Sequence, residues 1–297
     1  MGMKTVIRIM IAIFIAIGSN AYAQDFLGGM APKSADKQKA DKQKSKRKVN
    51  LPDKPNYKDA KGLRQGEWGT KYPNGRYRYE ATFKDDKPVG KVKRYDEDGR
   101  LVAVLTYQAN GIVTSITYHE NGKMESKGKY KNQKKEGTWT FYDHNERLIM
   151  EVPYSDGKEH GIAKLLYENG KTLEMTTWVD GMKEGPYTKY FVSGQKEVEA
   201  TYSKNELNGP YRVWGSDGKI VNDGQFAYGV KVGRWKVRFP QEGNYEVTIL
   251  YDKHGLVINR AEVDSVENLR IKYIEKQLGK HRDPEEYVSH PEDYVPF

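Results

Sequence analysis

Along most of this chain apolar and polar side chains alternate with a period of two, the pattern of strands whose successive residues point to opposite faces. Tyr77, Tyr79, Ala81 and Phe83 share one face while Arg78, Glu80 and Thr82 share the other. Leu101, Ala103, Leu105 and Tyr107 repeat the arrangement, and so do Leu148, Met150, Val152 and Tyr154. Shorter runs upstream of such segments alternate too: Trp68 with Tyr72, Trp139 with Phe141, Leu165 with Tyr167, Tyr187 with Phe191, and Trp235 with Val237 and Phe239. Between paired runs stand Asn74-Gly75, Asp98-Gly99, Asn121-Gly122, Asn169-Gly170, Ser193-Gly194 and Asp217-Gly218, residues that accept positive φ at little steric cost. Each pair of runs therefore predicts a β-hairpin. A second set of turns, such as Asp156-Gly157 and Asp180-Gly181, joins one hairpin to the next.

The hairpins are in phase. One column reads Gly66, Gly90, Thr114, Gly137, Gly161, Gly185, Gly209 and Gly233; another reads Phe83, Tyr107, Tyr130, Tyr154, Trp178, Tyr202, Phe226 and Tyr251. A turn column of Gly75, Gly99, Gly122, Glu146, Gly170, Gly194, Gly218 and Gly243 keeps the same step. Self-similarity of this kind fixes the architecture before local propensity does. The expectation is all-β: an elongated single-layer antiparallel meander of eight hairpin modules over residues 61–258. At about 4.8 Å per strand it would run on the order of 75 Å. Trp178, central in the array, is expected to be buried and to matter more for stability than Phe83 near its end.

The recurring unit is an aromatic, a turn with Asn, Asp or Gly, and then Gly-x-aromatic. Examples are Trp178-Val179-Asp180-Gly181 followed by Gly185-Pro186-Tyr187, and Tyr130-Lys131-Asn132 followed by Gly137-Thr138-Trp139. This unit resembles the MORN repeat family in its bacterial variant form, often labelled an antitoxin component. The resemblance implies a β-hairpin repeat scaffold whose work is binding. Through the family label it also implies an alternative, an antitoxin or immunity-type inhibitor of a partner protein.

The flanks differ from the repeats. Lys4 and Arg8, the apolar run Ile9 to Ile17 and the small-x-small site Ala21-Tyr22-Ala23 read as a signal peptide over residues 1–23, cleaved after Ala23. The apolar run is shorter than the roughly 20 residues of a spanning helix, so no transmembrane segment is expected in the mature chain. The chain would then be exported, to the periplasm or outer cell envelope. With no cysteine it has neither a lipidation site nor a disulfide, and holds together by packing alone. Residues 24–60 form a polar basic linker. Between Lys33 and Lys48 eight basic residues face Asp36 and Asp41, so most of the chain's formal net charge of +9 sits there. The segment reads as a solvated spacer or as a contact for an anionic envelope surface. Because the repeats are close to neutral, the charge is not a nucleic-acid signature. In residues 259–297, Asp264 and Glu267 form a capping-box pair, and Val266, Leu269, Tyr273, Ile274 and Leu278 recur at helical spacing. One amphipathic helix is expected, capping the last module or binding a partner.

Candidate chemistry is sparse. The histidines, His119, His144, His160, His254, His281 and His290, lie mostly in turns or the tail without a metal-binding spacing, and the glycines follow the repeat phase rather than a phosphate loop. No nucleophile elbow appears, and the residues after the repeats are too few for a catalytic domain. A non-enzymatic protein without cofactor or metal is expected. Aromatics make up 12% of the chain, and Tyr alone accounts for 22 residues. Their first duty is to build a core for a one-layer sheet. Where the ladder stays open they would suit a protein or envelope glycan, and Trp68, Trp139, Tyr187, Tyr211 and Trp235, at the third position of their modules, are the candidate binding face. Limited trypsin digestion should cut first between Lys33 and Lys61 and leave one large resistant fragment; early cuts scattered through the modules would contradict this organisation.

Overall fold

A computed structural model describes residues 55–278 apart from 241 and 243. The expected signal peptide, nearly all of the basic linker, and the tail beyond Leu278 lie outside the described residues. The chain divides into two compact units at Gly161/Ile162, each built of consecutive antiparallel hairpins.

The first unit holds β1 (Tyr57–Lys58), β2 (Arg64–Lys71), β3 (Tyr77–Lys84), β4 (Lys87–Tyr95), β5 (Leu101–Tyr107), β6 (Ile112–Tyr118), β7 (Met124–Lys131), β8 (Lys134–Tyr142), β9 (Leu148–Ser155) and β10 (Lys158–Glu159). From β1 to β10 each strand pairs with the next. The second unit holds β11 (Gly161–Leu166), β12 (Thr172–Val179), β13 (Met182–Tyr190), β14 (Lys196–Ser203), β15 (Glu206–Trp214), β16 (Ile220–Ala227), β17 (Val230–Phe239), β18 (Tyr245–Tyr251) and the helix α1 (Arg260–Leu278). From β12 to β18 the same sequential pairing holds. The eight hairpins expected from the alternation are present, and β1 adds a short strand upstream of the expected boundary at residue 61.

Two kinds of turn alternate. At the tip of the first hairpin Gly75 has positive φ (86°), a place taken by Glu146 (φ 63°) in the fourth, and the preceding asparagine turns its side chain to the backbone: Asn74 Oδ1 accepts from the Arg76 amide at 3.1 Å. Between most hairpins both turn residues have positive φ, as in Asp85-Asp86 and Lys204-Asn205, but the β5–β6 turn is of the tip kind, with Gly111 (φ 79°) as its left-handed residue. This two-residue geometry matches the strands' own twist.

Where one hairpin meets the next the register slips, and the later strand carries extra residues. Thr82 pairs with Val89 but Glu80 with Lys93, and equivalent slips occur between β7 and β8, β12 and β13, β14 and β15, and β16 and β17. The column glycine sits inside the slip, Gly90 at φ 68° for example, and the bulge bends the strand. The β5–β6 pair has no slip. There Val113, not Thr114, stands opposite Tyr130, as Gly90 stands opposite Tyr107. A regular ladder needs no left-handed residue, which is why the glycine column is broken at this point and displaced by one.

The core lies on one face of each unit. In the first it comprises Ala81, Phe83, Val92, Ala103, Leu105, Tyr130, Trp139, Met150, Val152 and Tyr154; in the second, Ala200, Trp235 and Val247. Two placements differ from the alternation. Tyr77 is 45% exposed and leaves the face of Ala81 and Phe83, because a slip at Thr70/Lys71 inserts one residue and turns the side chain over. Trp178 is only partly buried, whereas Phe83 is fully enclosed. The ranking of these two positions is therefore reversed.

Outer strands are closed by asparagines. At β2 the Asn56 amide donates to Glu67 O at 2.8 Å and its Oδ1 accepts from the Gly69 amide at 2.9 Å. At β18, Asn259 Oδ1 accepts from the Leu250 amide and its Nδ2 donates to Thr248 O, both at 2.8 Å. Asn259 thus completes an edge begun by Val257 and Ile258, and starts the helix. That tie sets the start of α1 at Arg260, ahead of the expected Asp264 capping box. Up to Lys276, Val263, Val266, Arg270 and Tyr273 of α1 are partly buried, while Leu269 and Ile274 of the expected apolar stripe are exposed. Arg270 stacks 3.7 Å from the Phe239 ring and donates to Glu242 at 2.7 Å, and Tyr273 meets Tyr245 edge-on. These contacts to the end of the last hairpin suit a cap.

Phe83→Ala should cost about 3–5 kcal/mol, the range for core Phe to Ala changes, and Trp178→Ala clearly less. Urea midpoints would show it, and a lower midpoint for Trp178→Ala would contradict the burial pattern.

Candidate binding faces

The third-position aromatics were the candidates, and the bulge determines what they do. In the fourth module the slip carries Trp139 across β7 so that its ring lies on Gly128; a Cβ there would come within 2.1 Å of the indole. The indole N–H donates to Lys129 O at 3.2 Å, Tyr130 packs edge-on at 5.0 Å, and Trp139 is 3% exposed. The last module repeats this set. Trp235 covers Gly224, where a Cβ would approach to 2.2 Å, donates to Gln225 O at 3.1 Å, meets Phe226 edge-on at 5.1 Å and is 1% exposed. Trp139 and Trp235 are therefore core residues, not open platforms, because glycine across the strand lets the ring sink onto the backbone.

The other three candidates are partly buried. Trp68 has no full strand before it and donates instead to Tyr57 O and Gln65 O, both at 3.2 Å, so β1 supplies the missing carbonyl. Tyr187 stands opposite Thr176 on one side and Ala200 on the other, and its hydroxyl donates to Glu174 Oε2 at 3.2 Å. Burial, and then the Glu174 carboxylate, push the Tyr187 hydroxyl well above the usual tyrosine range. Tyr211 pairs with Ala200 and packs against Phe226 and Trp235. Large side chains thus face small ones across each slip: Trp with Gly, Tyr with Ala or Thr. Trp68 and Trp139 belong to the ladder of the first unit, and Tyr187, Tyr211 and Trp235 to that of the second.

A set of cations closes the ladders. Lys135 Nζ lies 4.8 Å from the Trp139 ring and 4.6 Å from Tyr154; Lys231 lies 4.7 Å from Trp235; Lys183 lies 5.1 Å from Tyr202; and the Arg64 guanidinium lies 4.0 Å from Phe83. Burial lowers the Lys135 pKa, with Glu159 opposing the shift. These cations were missed in the sequence although they carry a signal: each stands two residues before its column glycine, at Gly66, Gly137, Gly185 and Gly233. Contact with a ring face is favourable for an ammonium or guanidinium, and it occupies the surface a ligand would use.

Elsewhere, Arg76, Tyr77, Glu80, Tyr95, Asp98 and Gly99 line a shallow depression of about 450 Å³. The Tyr95 hydroxyl donates to Glu80 Oε2 at 2.5 Å, and its pKa is pushed up to about 12 by burial and by that carboxylate. His119 and His144 stack at 4.1 Å on successive tips, and His119 Nε2 lies 2.9 Å from Tyr142 O. Among the described residues no three or more His, Cys, Asp or Glu side chains gather to hold a metal ion. No described helix is long and apolar enough to cross a membrane.

Comparison with known families places the MORN repeat variant at residues 88–109, 113–132 and 135–156. These are the second, third and fourth hairpins, so the chain contains MORN-variant repeats. None of the curated proteins compared with it matches. Among solved structures it is similar to a chain of the "Crystal structure of GtfA/B complex bound to UDP and GlcNAc", with 11% identity and a TM-score of 0.16, over 38% of this chain and 22% of that one. That overlap is too slight to bear on fold or function.

Burial also raises Tyr130 to about 12. A tyrosine raised on folding stays protonated longer than in the unfolded chain, so its contribution to stability is complete below about pH 10 and is lost as pH rises toward 12. In a tyrosinate absorbance titration, Tyr130→Phe should remove one tyrosine from the highest-pH step. Loss from the step near pH 10 instead would show that Tyr130 is open to solvent.

Proposed function

We propose that this chain, which carries MORN-variant repeats, is an exported non-enzymatic scaffold that binds a protein or cell-envelope component along its sheet. The observation that carries the reading is the one-sided core. In the first unit the closed ladder takes up one face, while on the other the side chains of Lys91, Lys93, Lys127, Lys129 and Thr138 stay exposed. A sheet whose backbone is paired and whose outer strands are blocked offers its face rather than its edge. The leader-like residues 1–23 support export, and the spacing of the modules supplies a lattice on which a long partner can make several weak contacts at once.

Two measurements test this. Alkaline phosphatase fused after residue 60 should be active, and the mature chain should begin at Gln24. A photo-crosslinking amino acid at Thr106 or Thr140, on the open face, should give saturable adducts in cells, and one at Ala103, in the core, should not. An inactive fusion would remove the export claim, and a chain that gives no adduct from the open face would remove the scaffold claim.

A further inference from the structure

On the open face of the first unit the strand registers bring together four lysines that are distant in sequence. Lys93 pairs with Val104, Val104 with Ile116, and Ile116 with Lys127. One step along the same strands, Lys91 pairs with Thr106, Thr106 with Thr114, and Thr114 with Lys129. Two parallel rows result, each with a lysine at either end and two uncharged side chains between. The four lysines are exposed; Val104, Thr106, Thr114 and Ile116 are partly buried. None of the four ammonium groups is paired with a carboxylate among the described residues. The flanking acids are engaged elsewhere: Glu80 takes the Tyr95 hydroxyl, and Glu136 takes the Asp156 amide.

The β5–β6 pair makes this possible. Its register runs without a slip, so the side chains of β4, β5, β6 and β7 named above stay in line across four strands.

We infer that these two rows are a docking platform for an extended acidic peptide segment in which two carboxylates flank an apolar residue. This rests on the scaffold reading and specifies its partner. Three strand steps separate the lysines of a row, about 14 Å at the usual spacing, while residues i and i+4 of an extended chain stand about 13 Å apart on the same side. A segment of the form acid-x-apolar-x-acid laid across the strands would set a carboxylate at Lys93 and at Lys127 and its central side chain over Val104 and Ile116, with Lys91 and Lys129 alongside. Unpaired lysines would gain partners, and the apolar centre would be covered. A nucleic acid suits the surface less well. Its phosphates call for a continuous cationic track and its bases for stacking faces, and here the interval between the lysines is aliphatic and hydroxylic.

The test uses the full chain and a labelled probe peptide with the core Glu-Thr-Val-Thr-Glu, read by fluorescence anisotropy. Wild type should bind with an affinity that falls as salt is raised. Lys93→Glu with Lys127→Glu should weaken binding roughly tenfold or more, and Lys91→Glu with Lys129→Glu should also weaken it, since both rows face the segment. Lys236→Glu in the second unit should leave it unchanged. If charge reversal disturbs folding by circular dichroism, Lys93→Gln with Lys127→Gln is the variant to use. No binding of the probe, or binding indifferent to these lysines, would overturn the platform. So would tighter lysine-dependent binding of single-stranded DNA or of phosphatidylglycerol vesicles that the peptide cannot displace. Open-face crosslinks that persist in the Lys93→Glu, Lys127→Glu chain would sink the platform and leave the scaffold reading standing. Loss of all crosslinks in wild type would sink the scaffold reading itself.

Discussion

A sheet of one layer has nothing to pack against but itself, and the contact that meets this constraint is an aromatic ring laid flat on a glycine of the neighbouring strand. Trp139 on Gly128 and Trp235 on Gly224 are its fullest form. Each ring excludes water from two strands, donates its indole proton to a carbonyl the bulge has exposed, and supports edge-on aromatics on either side. The bulges, the left-handed glycines and the small residues opposite each large one all serve to bring these rings down onto the backbone. Any methyl group added at Gly128 or Gly224 meets the indole, so these two glycines are required by packing, not by turn geometry.

Such a sheet also has edges, and the chain closes two of them with one device. Asn56 and Asn259 place a side-chain amide where the next strand's peptide would have been. An asparagine can answer the last donor and acceptor without offering a new row of its own. Because the outer strands are closed in this way and one face is core, the other face is the surface left for the proposed partner.

The sequence made the hairpins, their number and their phase legible because three columns repeat in step, and a repeated error is less probable than a repeated structure. What it hid was what interrupts the period of two. Tyr77 and the inter-hairpin slips depend on one or two inserted residues that alternation alone does not register. The shift from Thr114 to Val113 arose at the β5–β6 junction, whose register has no slip and where no glycine was needed to mark the place. The start of α1 was set by a tertiary bond from Asn259 rather than by a local capping box. The five candidate aromatics were found by position, but whether each was open or buried depended on the size of a residue in another strand: glycine for Trp139 and Trp235, larger for Tyr187 and Tyr211.

Away from the β5–β6 turn, two turn types alternate, and this gives the architecture a grammar for growth. Tips repeat with tips and junctions with junctions, so a duplication or loss of one whole period joins strands that already match, and both asparagine-closed ends are left as they were. A half-period change would set a tip beside a junction and break the sequence of slips. Evolution can therefore lengthen or shorten either unit in steps of two strands, about 10 Å at a time. Any functional residues carried on the open face would then move apart like marks on a ruler, with no change to the packing beneath them.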